Sequence, residues 1–168
     1  MRAIDPNGRL GIYKRLADVP DRRRLYRFAD RYDGEDTWGE WCADRGFMQL
    51  AHRTQRDIER SERRWKEYVC DHSDAPHHAL ARPEHVEGYF AWLRTQGRGD
   101  GMGTLTIRRV YATRLQSFYH WLMTDVRHPH TYSPIMQAFA DPSNENARAV
   151  WRNKMQEANP EKNLEVLQ

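Results

Sequence analysis

The chain has 168 residues, 30% of them charged, and a formal net charge of +3. That length suits one ordinary domain with an extension and is too short for two full domains. A mean hydropathy of -0.98 marks a very polar surface. Even so, six Trp, eight Tyr and five Phe supply enough apolar bulk for a core and exclude wholesale disorder. No apolar run approaches the length of a membrane span and no signal-peptide h-region opens the chain, so a soluble cytoplasmic protein is expected. Cys42 and Cys70 make neither a disulfide framework nor a metal pair. Lysine occurs only at Lys14, Lys66, Lys154 and Lys162, so the basic side is nearly all arginine. Its planar fork suits phosphate and guanine edges, although GC-rich codon usage produces the same bias.

In chain order, residues 1–17 read as a loose arm with Pro6, Gly8 and Gly11. Asp18 or Asp21 caps a first helix through PDRRRLYRFADRY, with Leu25, Phe28 and Tyr32 on one face. A second short helix, EDTWGEWCADRG, is capped by Asp36 and stopped by Gly46. Residues 54–71 show a clear helical period in Ile58, Trp65, Tyr68 and Val69. Pro83 opens the next helix, closed by Gly97, with Val86, Tyr89, Phe90 and Leu93 inward. Thr104 caps the longest helix, 104–124, whose buried stripe is Tyr111, Leu115, Phe118, Tyr119 and Leu122. Ser133 and Pro134 start a short helix, and Asn144 to Ala158 form a last polar one anchored by Trp151. Period-2 runs are absent, so the expected fold is all-α. Its expected organisation is an N-terminal arm with short helices over 1–50, a bundle of four to five core helices over 51–142, and a tail helix over 143–168.

The outward side of the long helix is the most informative pattern. Thr106, Arg109, Thr113, Gln116 and His120 are side chains able to read base edges, and spacings of three and four set Arg109, Thr113, Gln116 and His120 in one line. On 54–71, Arg56, Arg60, Arg63 and Arg64 suit phosphate contacts, with Arg98 of the Gly-rich loop as a further candidate. A solvated helix face has the same composition, with Glu59 and Glu67 free to pair with Arg63.

The segment TLTIRRVYATRLQSFYHWLMTD followed by HTYSPIMQAF resembles the helix of tyrosine-recombinase (phage-type integrase) core-binding domains that ends in aromatics before an Asn-Pro step, here replaced by Ser133-Pro134. TQRDIERSERRWKEYV and EHVEGYFAWLRTQG are similar to the first and second helices of that domain, and LADVPDRRRLYRFADRYDGEDTWGEW resembles the leader of haloarchaeal integrases. The resemblance covers about residues 50–140. It implies a SAM-like helical bundle forming half of a clamp around double-stranded DNA, with two helices over the major groove. It also implies a catalytic half carrying Arg, Lys, His-x-x-Arg and a nucleophilic Tyr. No histidine of this chain is followed by Arg at the third place, so recombination chemistry is not expected of it alone. The expected setting is either a longer integrase or a free-standing binder, with DNA, and in an assembly a further copy or an integrase, as partner.

Other constellations imply less. His72, His77, His78, His85, His128 and His130 fit no metal spacing and read as polar loop residues, so neither metal nor cofactor is expected. RGRGDGMG lacks the features of a nucleotide cradle, and no small-molecule substrate is implied. Tyr132, in a loop, is the one tyrosine singled out as a conceivable phenol nucleophile. Trp38, Trp41 and Trp151 are expected outside the bundle, where they could dock a protein partner; a helical interaction module without DNA contact is therefore the alternative.

Overall fold

The computed structural model describes residues 13–97, 99 and 101–158. All regular structure among them is helical. After three 3-10 turns come α1 (Ala29–Tyr32), α2 (Thr37–Asp44), α3 (His52–Asp71) and α4 (Pro83–Arg94). A long segment, α5, is built from Thr104–Thr106, a π-helical stretch Ile107–Ala112, and Thr113–Thr124. α6 (Pro134–Ala140) and α7 (Glu145–Ala158) follow. α3 packs on α4 and α5, α4 on α6 and α7, and α2 on the C-terminal half of α5.

Local signals set most helix ends. The Asp36 carboxylate accepts from Gly39 N at 3.0 Å to start α2, and Gly46, at φ 68°, ends it in the left-handed region that favours glycine. Ser133 caps α6 and Pro134 occupies its first position. The start of α7 is held from another helix: Glu87 of α4 accepts from Asn146 N at 2.8 Å and Ala147 N at 2.7 Å, a carboxylate set against a helix N-terminus. α3 and α4 meet at Gly88, where a Cβ would stand 2.2 Å from the Tyr68 hydroxyl.

The core expected over the bundle is present. Trp65, Tyr68, Phe90, Leu93, Tyr111, Leu115, Phe118 and Leu122 are all buried. Four expectations need correcting. The first helix is instead a chain of 3-10 turns, Asp21–Arg23 and Leu25–Phe28, running into α1, and none of these turns has a side-chain cap. Thr104 is not a cap: its hydroxyl accepts from Arg94 Nη1 at 3.1 Å. Trp38 and Trp41 are not outside the bundle. They are 0% and 3% exposed and pack on Phe118, with ring centroids 4.9 and 5.7 Å away. Val19, Leu25, Tyr32, Trp38 and Trp41 thereby join the same buried cluster as α3, α4 and α5. Trp151 is half-buried against Phe139.

The histidines are the fourth correction. His78, His85 and His130 are buried, and the connection between α3 and α4, which carries His78 and the buried Ala79, Leu80 and Ala81, runs through the interior. A buried loop must have its backbone groups paired by something, and here side chains do it. The His78 carbonyl accepts from Trp65 Nε1 at 2.9 Å and from the Tyr119 hydroxyl at 3.0 Å. That hydroxyl accepts in turn from Ala81 N at 3.0 Å. His130 Nε2 donates to the Ala79 carbonyl at 2.6 Å, and Trp38 N donates to His78 Nε2 at 3.2 Å. Tyr132 serves the same end elsewhere: it is buried, and its hydroxyl accepts from Leu25 N at 2.8 Å.

Two outcomes follow from this interior. Tyr119→Phe strands Ala81 N and should cost ~1–3 kcal/mol in urea unfolding. Tyr89→Phe removes a buried hydroxyl with no partner among the described residues and should leave stability within ~0.5 kcal/mol of the parent, or raise it. Equal losses for the two would show that the hydroxyl network carries no weight.

Burial also pushes His78 down to about 3 and His130 down to about 4, each from an ordinary value of 6.5. The neutral rings fit the fold, so their full contribution is present above pH 6.5 and falls as acid protonates the unfolded chain first. Each should remove up to about 1.4 kcal/mol per pH unit from below pH 6.5 toward its folded value. Urea midpoints measured between pH 7 and pH 5 should fall steeply; a flat profile would contradict the neutral buried rings.

Candidate nucleic-acid interface

α3 turns Ile58, Ser61, Trp65, Tyr68 and Val69 inward. The helical period must then throw the residues at 53, 56, 60 and 63 outward, and these are all arginines. Arg53, Arg56, Arg60 and Arg63 are exposed, and none has an ion-pair partner among the described residues. Their row is about 15 Å long at 1.5 Å per residue. Arginines elsewhere are commonly tied to carboxylates: Arg15 to Asp18, Arg82 to Asp74 and Glu84, Arg127 to Asp125 and Glu40.

Arg64 differs from its neighbours, against the expectation of a phosphate contact. Its side chain is half-buried, donates to Gln96 Oε1 at 3.2 Å, lies 5.8 Å over the Trp92 ring and pairs with Glu67 at 3.8 Å. It clamps α3 to the end of α4. Glu67 is thus engaged by Arg64 rather than by Arg63. Arg98 lies outside the described residues.

On α5 the expected single line of readers is broken by the π-helical stretch. The wider π turn makes Thr113 N bond to the Arg108 carbonyl, five residues back, and the Thr113 hydroxyl donates to the same oxygen at 2.8 Å. Thr106 and Arg109 therefore leave the row that continues through Thr113, Gln116 and His120. Thr106 is exposed. Arg109 is exposed but bonds to Glu157 of α7 at 3.0 Å, and Arg108 bonds to the same carboxylate. These two guanidiniums hold the Glu157 carboxyl below its usual range. Gln116 accepts from Lys154 Nζ at 3.3 Å and points its amide at Met136 Sδ.

Thr113, Gln116 and His120 do not stand on a ridge. They form the floor of a trench of about 850 Å³ that runs along α5. Trp41 and Arg45 at the end of α2, Trp121 of α5, Tyr132, Met136 of α6 and Lys154 of α7 also line it. Trp121 is fixed by donating Nε1 to Asp44 Oδ2 at 2.9 Å.

One further cation escaped the sequence reading. Arg114 faces α3 and is half-buried. Burial pulls its guanidinium below the usual value, with Arg45 adding to the effect and Asp57 opposing it. Its Nε has no hydrogen-bond partner among the described residues. A basic residue one position past a threonine on an outward stripe gives no sequence signal of this kind.

Among the described residues no cluster of His, Cys, Asp and Glu could hold a metal ion, and no helix is long and apolar enough to cross a membrane. No family model, curated protein or solved structure matches the chain.

Proposed function

We propose that this chain is a double-stranded-DNA-binding module of the kind found as the core-binding half of tyrosine recombinases, with α3 laid along the phosphate backbone. The observation that carries the reading is the row Arg53, Arg56, Arg60 and Arg63, exposed and unpaired among the described residues in a chain that ties many other arginines to acids. Four like charges along one face repel one another unless an anion lies against them, and a polyphosphate backbone is such an anion. The all-helical bundle and the resemblance of 50–140 to integrase core-binding helices support the same reading. Thr106 and Arg109, at the exposed start of α5, are the proposed base-edge contacts. DNA reaches Arg109 in competition with Glu157. Bond making and breaking in DNA is assigned to a catalytic partner rather than to this chain, whose Tyr132 hydroxyl is engaged in the core.

The test is fluorescence anisotropy with a labelled duplex at several salt concentrations. Arg60→Ala and Arg63→Ala should each weaken specific and random duplexes alike and lower the salt slope by about one. Arg109→Ala should cost ~1–3 kcal/mol on a preferred sequence and flatten the preference. Glu157→Gln should tighten binding by releasing Arg109. If a variant with Arg56, Arg60 and Arg63 all changed to Ala binds duplex like the parent, the row is a solvated face and the proposal fails.

A further inference from the structure

The trench along α5 has features the DNA reading leaves unused. Its floor runs from Thr113 to Thr124, about 16 Å at 1.5 Å per residue, or three helical turns. Its walls carry Trp41, Trp121, Met123 and Met136. Aromatic and thioether side chains of this kind mark adaptable protein-binding grooves. Arg45 and Lys154 border it, and among the described residues no carboxylate lines it. Arg45 has no ion pair among the described residues and lies 5.1 Å over the Trp41 ring. Among the described residues Lys154 makes one hydrogen bond, to the neutral Gln116 amide, lies 5.6 Å over the Trp151 ring, and has no ion pair. Both cations therefore remain open to an anionic guest.

We propose that this trench seats an acidic amphipathic helix of another polypeptide. The apolar side chains of that helix, spaced three and four apart, would sit between Trp121 and Met136, and its carboxylates would meet Arg45 and Lys154. This is helix-in-groove recognition, with α5 as the floor. The seat is concave and lined by residues of α2, α5, α6 and α7, which suits a single helix. It is independent of the α3 arginine row, so either proposal can fail alone.

The experiment uses the full chain and three fluorescein-labelled 18-residue peptides. One has Leu at i, i+3, i+4, i+7 and i+11 with Glu on the remaining face; one has Lys in place of Glu; one has the Glu–Leu composition scrambled. The Glu peptide should bind saturably at one per chain, at least tenfold tighter than the other two. Lys154→Glu should weaken it at least tenfold and improve the Lys peptide, while leaving the duplex-binding salt slope of the parent. His120→Glu, on the exposed floor, should weaken it by a similar factor. Circular dichroism melts establish that both variants are folded. The proposal is overturned if the scrambled or Lys peptide binds as well as the Glu peptide, or if both variants bind like the parent. It is equally overturned if duplex DNA displaces the Glu peptide fully. A parent dimer in light scattering that Lys154→Glu dissociates would assign the trench to a second copy and overturn it as well.

Discussion

The carbonyl oxygen of His78 is the point on which the interior depends. Two core aromatics from different helices, Trp65 of α3 and Tyr119 of α5, both donate to it. Burying that carbonyl without partners would cost several times what one hydrogen bond returns. The α3–α4 connection can therefore cross the core only while those two rings stand where they do. Once Trp65 and Tyr119 are so placed, the facing surfaces of α3 and α5 are set, and with them the sides turned to solvent. His78, in turn, reaches Trp38 N through its ring, which ties the N-terminal stretch to the same point. The aromatic and histidine richness of a very polar chain is thus explained as interior wiring.

Electrostatics divides along the same line. Inside, His78 and His130 stay neutral and act through fixed donors and acceptors. Outside, arginines cover the back of α3, while α7 carries acid to the start of α5. The last helix is well attached: Glu87 holds its first turn, Arg94 bonds Asn146 at 2.6 Å and Arg108 bonds Asn153 at 2.6 Å. One element thereby screens the first turns of α5, borders the trench through Lys154, and leaves the α3 row open.

Helices with strong local grammar were legible from the residues alone. Asp36, Gly46, Ser133 and Pro134 mark their ends through bonds made within a few positions, and the stripe through Trp65 and Tyr68 repeats over about three turns. What was not legible depends on distant partners. Trp38 and Trp41 read as unpartnered because the ring that buries them, Phe118, lies far along the chain. His78 and His130 read as loop polarity because only the path of the connection makes them core. Arg64 and Arg63 are adjacent and chemically identical, yet the end of α4 captures one and leaves the other free. The line of α5 residues was drawn with a constant 100° step, which a π stretch does not keep.

That stretch has a consequence for how the chain can change in length. A π turn holds one residue more than an α turn closing the same gap. Both flanks of Ile107–Ala112 are anchored, Thr104 by Arg94 before it and Leu115 and Phe118 in the core after it. Loss of one residue within the stretch lets it close into a plain α-helix with both anchors in place. Loss of one residue anywhere between Leu115 and Leu122 instead turns everything beyond it by about 100° and drives core rings toward water. Within α5, then, length is negotiable at one point only, beside the cations and the trench, where a single deletion would re-aim the outward side chains while sparing the fold.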